Sequence, residues 1–242
     1  VFEPDWDSSL NVLTGGNMYD LLIKNGRIAD GSWMPSFIAD VGIVEGRITD
    51  IGHLGTSARQ VIDASGLVVA PGFIDVHTHD DRYLFTNPDM APKASQGVTT
   101  VVVGNCGFSL APWKDAGKEQ FPMSLWYDRE DLKFTAMGDY LKGLGKTPSA
   151  LNSAALVGHS TLRYGAMDNV KRPATDSEIR NMQEVLTNCL KEGAIGMSSG
   201  LFYPSAEAAK TEEVSAVAEV MSERDGIYTA HIRDESDGLM DA

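Results

Sequence analysis

The sequence predicts an α/β fold in which a small sheet of short strands precedes parallel strands that alternate with helices. Three observations support this prediction. Short apolar runs recur along the 242 residues, with helical patterns between them from residue 73 onward. The earlier runs are instead separated by the turn signals Asn25-Gly26 and Glu45-Gly46. Histidine or cysteine also follows several later strands, as in barrels that carry a site at the carboxyl ends of their strands.

Composition excludes several classes of protein. The chain is 43% hydrophobic and 22% charged and has no run of 18 apolar residues, which indicates a globular protein without a membrane span. A net charge of −14 argues against nucleic acid and anionic membranes as partners. The two cysteines are too few for a disulfide framework. We predict a cytoplasmic location and leave export open, because the sequence does not begin with methionine.

Three segments follow from the patterns. Residues 1–18 are polar and without period, and are interpreted as a leader or loose arm. Residues 19–66 carry short alternating runs, which predict a small antiparallel sheet. Residues 67–242 form the strand-helix part. Its predicted strands are 73–77, 98–104, 154–159, 194–198 and 227–231.

The helices between these strands have recognisable signals. Thr175-Asp-Ser-Glu178 is a capping-box pattern, and Gly193 closes the helix that it opens. Apolar spacing predicts another helix from Val214 that ends at Gly226, and a third through Phe134 and Leu144.

The number of strand-helix units bounds the architecture. A complete TIM-like (β/α)8 barrel takes about 250 residues. Residues 67–242 supply five units, so we expect the N-terminal part of such a barrel rather than an open sheet. Five barrel strands would leave an unpaired edge and an open apolar core. We therefore expect a C-terminal polypeptide, from the same or another chain, that completes the barrel.

His77 and His79 are the first candidate metal ligands. They end an apolar strand and are separated by one residue, so on a strand both side chains would point to the same face. Two imidazoles held side by side at a strand end suit metal ligation better than a structural role.

Cys106 and His231 are the other candidate ligands. Cys106 follows the second barrel strand, where its thiolate would bind or bridge metal ions, and His231 ends the fifth strand. Cys189 lies on the apolar stripe of a helix and is predicted to be buried in the core. His53 lies in a turn and is interpreted as a surface histidine.

Three further residues are candidates for substrate binding. His159 ends the third strand, where substrate contact or support of the site is weighed evenly against a structural role. Phe202 and Tyr203 follow the fourth strand, where they would line a pocket or simply pack.

The motifs together resemble one family. The chain is similar to the N-acyl-D-amino-acid deacylases, or D-aminoacylases, of the amidohydrolase superfamily from about Tyr19 to its end. The motifs that carry the resemblance are His77-Thr-His79, Gly104-Asn-Cys-Gly-Phe-Ser-Leu-Ala-Pro112, Gly158-His-Ser-Thr-Leu-Arg163, Phe202-Tyr-Pro204 and His231-Ile-Arg-Asp-Glu235.

This resemblance implies a zinc-dependent barrel beside a small β-sandwich. Cys106 matches the family's bridging ligand, and His77, His79 and His231 match its histidine ligands. One zinc is expected to bind tightly and a second weakly. The family's catalytic aspartate would lie beyond residue 242, so no catalytic residue is assigned within this chain.

The implied reaction is hydrolysis of the amide bond of an N-acyl-D-amino acid to a D-amino acid and a carboxylate, and it requires the C-terminal half. Two alternatives stay open. A cyclic-amide hydrolase of the hydantoinase or dihydroorotase type would normally use a bridging lysine, and none occurs in residues 194–198. A non-catalytic scaffold on the same fold would bind no metal.

Overall fold

The computed structural model describes residues 18–55, 57–114 and 132–240. Residues 1–17 of the predicted leader therefore lie outside the described part of the chain. The chain divides into two compact units between Pro71 and Gly72. Within the described residues no helix is long and apolar enough to cross a membrane.

The first unit contains a mixed sheet rather than the antiparallel sheet that the sequence predicts. The meander β1-β2-β3 is antiparallel, but the chain then crosses to the free side of β1, where β4 and β5 both pair in parallel. A small core forms where Ile28, Ala39 and Val41 are buried. The strands are β1 (Tyr19–Ile28), β2 (Phe37–Val44), β3 (Arg47–Gly52), β4 (Ala58–Asp63) and β5 (Val68–Val69).

Asn25-Gly26 is not a hairpin turn, contrary to the prediction. β1 continues through it, with a shift of register between Ile23 and Gly26 that marks a β-bulge. Asn25 is left-handed (φ 60°), and its N–H donates to Asp40 Oδ1 at 2.8 Å. The same dipeptide suits a bulge or a turn because both require positive φ. The predicted Glu45-Gly46 turn does join β2 to β3.

The second unit contains the predicted parallel sheet. Its order is β10-β9-β8-β7-β6, so each strand pairs with its neighbour in the chain. This order confirms the α/β class and the alternation of parallel strands with helices. The strands are β6 (Phe73–Asp75), β7 (Val98–Val103), β8 (Asn152–Gly158), β9 (Gly196–Gly200) and β10 (Ile227–His231).

The crossover helices cover this sheet with their apolar faces. Met182, Leu186 and Cys189 of α5 are buried in the core, as predicted for Cys189. Thr175 and Glu178 form the predicted capping box. The helices are α1 (Tyr83–Thr86), α2 (Ala91–Ala94), α3 (Met137–Lys146), α4 (His159–Ala166), α5 (Asp176–Glu192) and α6 (Thr211–Glu219).

Two helix boundaries differ from the prediction. α6 ends at Glu219, because the backbone then tightens into a 3-10 helix and Asp225 takes the left-handed conformation, so Gly226 follows a turn. Phe134 precedes α3, and its ring packs 5.5 Å from that of Phe85 instead of continuing the helical stripe.

Candidate metal centre

His77 and His79 lie in the loop that follows β6. The prediction placed the histidines at the end of a strand. The strand instead ends at Asp75, so both histidines lie beyond it. Their ring centroids are nevertheless only 5.7 Å apart, in an edge-on arrangement. The loop, residues 76–80, is called the histidine loop below.

Cys106 comes within reach of both histidines. His77 Nε2 lies 2.9 Å from Cys106 Sγ, and ligand atoms of His77, His79 and Cys106 all lie within 4.8 Å of one another. Two imidazole nitrogens and a thiolate are a donor set that zinc prefers. The geometry and chemistry of these three side chains therefore fit a bound metal ion.

The backbone of the Cys106 loop is held tightly from β8 and β9. Cys106 is buried and left-handed (φ 53°), a conformation that costs free energy and persists only where the surrounding structure imposes it. A Cβ on Gly200 would lie 2.1 Å from the Cys106 carbonyl oxygen, and one on Gly158 would lie 2.4 Å from that of Gly107. Only glycine at these two positions permits so close an approach.

Ser198 of β9 fastens the same loop with a hydrogen bond at each end. Its hydroxyl accepts from the Gly107 N–H at 2.9 Å and donates to the Gly104 carbonyl. Ser198 is not among the residues that the motifs indicate, because its partners are 91 and 94 residues away along the chain. The two hydrogen bonds satisfy a hydroxyl that is fully buried.

His231 ends β10, as predicted, and is linked to Cys106 through Tyr203. The Tyr203 hydroxyl lies 3.3 Å from His231 Nδ1 and also hydrogen-bonds the thiol of Cys106. His231 lies outside the set of three whose ligand atoms are mutually within 4.8 Å. Its Nε2 is buried and makes no hydrogen bond with the described residues, although Glu235 Oε1 is 3.2 Å away. An unsatisfied imidazole nitrogen suits a metal ligand.

Burial and neighbouring charges shift the pKa values at the centre. Burial lowers the pKa of His79, and the nearby His77 adds to this, so the neutral ring that a metal needs is favoured. Burial also raises the pKa of the Cys106 thiol, while the hydrogen bond from Tyr203 opposes the shift.

Asp81 connects the two loops of the centre. Its carboxyl is fully buried and accepts a hydrogen bond from the Gly104 N–H. Burial raises the pKa of Asp81 to about 7, against the opposing effect of that hydrogen bond.

Lys93 of α2 supports the histidine loop, and no sequence motif includes it. Its Nζ lies 2.6 Å from Asp75 Oδ2, 2.5 Å from Asp80 Oδ2 and 2.6 Å from Thr78 Oγ1. These partners lie before, within and at the end of the loop. A lysine on a short helix after the histidines gave no signal in the sequence, because the contact depends on the turn between them.

Comparison with known proteins identifies the family. Residues 60–239 match the amidohydrolase family. The chain belongs to that family. A D-aminoacylase of Alcaligenes xylosoxydans xylosoxydans is 48% identical over 225 residues, which are 93% of this chain and 46% of that protein. The resemblance drawn from the motifs is thereby confirmed.

Two solved structures of amidohydrolases overlie this chain closely. N-acyl-D-glutamate deacylase of Bordetella bronchiseptica, complexed with zinc and a phosphonate mimic of the tetrahedral intermediate, gives a TM-score of 0.88 at 43% identity, over 93% of this chain and 48% of that chain. D-aminoacylase with a binuclear metal centre gives 0.87 at 45% identity, over 92% and 47%. The chain thus spans about half the length of these relatives.

The likeness to cyclic-amide hydrolases is more distant. L-hydantoinase of Arthrobacter aurescens gives a TM-score of 0.55 at 18% identity, over 88% of this chain and 40% of that chain. At this identity the match shows a similar fold and gives no information about the substrate.

In this amidohydrolase, His159 does not end a strand as predicted. β8 ends at Gly158 and His159 begins α4. The ring is fully buried, and its Nε2 lies 3.2 Å from Glu213 Oε1, which also pairs with Arg163. His159 therefore belongs to a buried charged cluster and not to the group formed by His77 and Cys106.

Phe202 and Tyr203 lie beside His231 of β10. The Phe202 ring stacks on that of His231 with centroids 5.5 Å apart, and Phe202 is half exposed. Tyr203 packs edge-on against the buried Phe108. Of the two, Phe202 has the open face that a substrate would need.

Proposed function

We propose that this chain forms the metal-binding half of a zinc-dependent enzyme that hydrolyses N-acyl-D-amino acids to a D-amino acid and a carboxylate. The observation that carries the proposal is the convergence of His77, His79 and Cys106, with His77 Nε2 only 2.9 Å from the thiol sulfur. Support also comes from relatives that are D-aminoacylases and N-acyl-D-amino-acid deacylases.

His77, His79, Cys106 and His231 are the proposed zinc ligands. Cys106 and His231 would hold one zinc tightly, and the two exposed histidines would serve a weaker second position. The His231 Nε2 atom, which is buried and makes no hydrogen bond with the described residues, and the neutral form of His79 favour this assignment. The binuclear centre of D-aminoacylase is consistent with two positions.

The chain's own residues would then hold and orient the reacting groups. Zinc, when bound, supplies a Lewis acid that activates water at neutral pH and polarises an amide carbonyl. The Tyr203 hydroxyl orients His231, and Phe202 offers an apolar face to an acyl group or side chain. His159 begins α4, and the N–H groups of the next two residues, Ser160 and Thr161, donate to the Gly107 carbonyl. His159 would thus support the Cys106 loop indirectly, through this end of the helix.

The rest of the barrel is proposed to come from polypeptide that this chain does not include. β6 and β10 are the outer strands of the parallel sheet, and each exposes apolar side chains, Phe73 and Ile74 on β6 and Ile227 on β10. Relatives about twice as long support further strands that cover these edges and complete a β-sandwich. The proton-shuttling aspartate would come from that part.

The test is hydrolysis by the whole assembly, reconstituted with zinc. We expect cleavage of N-acetyl-D-methionine, much slower cleavage of N-acetyl-L-methionine, and no opening of a hydantoin ring. Cys106→Ala should lower the rate at least a hundredfold, whereas Cys189→Ala, at the chain's other cysteine, should retain the activity. Equal cleavage of both enantiomers, or preferential ring opening, would refute the assignment.

A further inference from the structure

The strongest unexplained feature near the metal centre is the position of Lys93. An ammonium group has three N–H donors and no acceptor. Lys93 donates hydrogen bonds to Asp75 Oδ2 and Thr78 Oγ1, both at 2.6 Å, and forms an ion pair with Asp80 Oδ2 at 2.5 Å. All three contacts of this side chain lie within a segment of six residues.

Asp75 carries this contact directly to the backbone of the first histidine. Its Oδ2 accepts from Lys93 Nζ, and its Oδ1 accepts from the His77 N–H at 3.3 Å. Asp75 therefore bridges the ammonium group and the start of the histidine loop through its two carboxylate oxygens.

The other end of Lys93 is anchored to the strand that leads to Cys106. α2 packs against β7, and the fully buried Met90 fixes the start of the helix, since its carbonyl accepts from the Lys93 and Ala94 N–H groups. Cys106 follows β7 directly. The side chain of Lys93 thus spans from the β7 side of the centre to the histidine loop.

We propose that Lys93 is a positioning residue that holds His77 and His79 at the separation from Cys106 that a bound metal ion requires. The histidines are exposed and lie beyond the end of β6, so the sheet itself does not fix them. This role of Lys93 rests on the metal site of the proposed function and identifies a residue that sets the geometry of that site.

The experiment is a titration of the whole assembly, freed of bound metal, with Co²⁺ alone, followed by calorimetry and by the thiolate-to-cobalt absorption band. Lys93→Met keeps the chain length and removes the charge. We expect it to weaken at least one Co²⁺ binding step about tenfold, the effect typical of losing a partner that orients a metal ligand. Lys93→Gln should show the same loss of affinity. It replaces Lys93→Met if circular dichroism shows that Lys93→Met is not folded.

Lys24→Met is the matched control. Lys24 is similarly buried and pairs with Asp40 at 3.0 Å and with the Leu54 carbonyl at 2.9 Å, but in the first unit of the chain. The Lys24→Met variant should be less stable than the wild type but should bind Co²⁺ with unchanged affinity. Affinities of the Lys93 variants within twofold of wild type, or an equal loss in Lys24→Met, would overturn the role of Lys93 and leave the metal site intact. A wild-type assembly that binds no Co²⁺ would instead overturn the metal site, and Lys93 positioning with it.

Discussion

Glu213 is a buried carboxylate held by three separate partners. Its Oε1 pairs with Arg163 and lies 3.2 Å from His159 Nε2, while its Oε2 accepts from the Ala174 N–H at 2.9 Å. Arg163 is fully buried and also donates to the Ser205 and Val170 carbonyls. Removing the charge of Glu213 would leave this guanidinium uncompensated inside the protein.

Glu213→Gln should therefore lower the free energy of unfolding by about 3 kcal/mol at pH 7. Urea unfolding measures the change. Glu212→Gln is the control, because Glu212 is its exposed neighbour on α6, and it should change the stability by less than about 0.5 kcal/mol. Equal effects of the two substitutions would contradict the buried-pair account.

The same cluster predicts how stability varies with pH. Burial alone would raise the pKa of Glu213, but the hydrogen bonds from His159, Ala174 and Arg163 outweigh it and hold the value to about 2, below the ordinary 4.5. Since the folded value is the lower one, this stabilisation is complete above pH 4.5 and is lost as the pH falls toward 2. The stability of Glu213→Gln should vary less over that interval than the wild type.

At the scale of elements, α5 is defined by local signals. At its start, the Thr175 hydroxyl accepts a hydrogen bond from the Glu178 N–H, and the Glu178 carboxylate accepts one from the Thr175 N–H. At its other end, Gly193 takes the left-handed conformation (φ 117°) and ends the helix. Arg172, bonded to Glu178, helps to hold the pKa of that carboxyl to about 2. Each of these groups lies within a few residues of its partner.

Thr175→Ala should lower the free energy of unfolding by about 1 kcal/mol, because it removes the hydroxyl that caps the helix. The measurement is the urea midpoint at unchanged slope. Thr211→Ala serves as control: Thr211 begins α6, where the cap residue Lys210 makes no side-chain hydrogen bond. If Thr211→Ala shifted the urea midpoint as much as Thr175→Ala, the capping box would not be the cause of the lost stability.

The reach of a contact along the chain decides what the sequence could predict. The strands and α5 were predicted from periodicity and caps, which operate between near neighbours. The bond from the Gly107 N–H to Ser198 joins residues 91 apart, and the Arg163 pair with Glu213 joins residues 50 apart. No local pattern encodes such partners, so Ser198 and Glu213 were missed. Asn25-Gly26 was misread because one dipeptide serves two backbone geometries.

At the scale of the whole molecule, the proposed metal should stabilise the folded chain. A ligand that binds only the folded state at a hundred times its dissociation constant adds about 2.7 kcal/mol. We expect zinc to produce this increment in chelator-treated wild type, measured by urea unfolding. Cys106→Ala should lose most of it. Cys189→Ala should be less stable from the start, because it opens a cavity in the core, yet retain the increment.

The order of the parallel sheet also bears on how the centre is built during synthesis. Strands β6 to β10 lie side by side in the order in which a ribosome delivers them. His77 and Cys106 are only 29 residues apart and follow the first two strands of this sheet, so both loops leave the ribosome before β8. The glycines of β8 and β9 then close on the Cys106 loop as they arrive. We expect a nascent chain to acquire its metal-binding loops first and to fix them later.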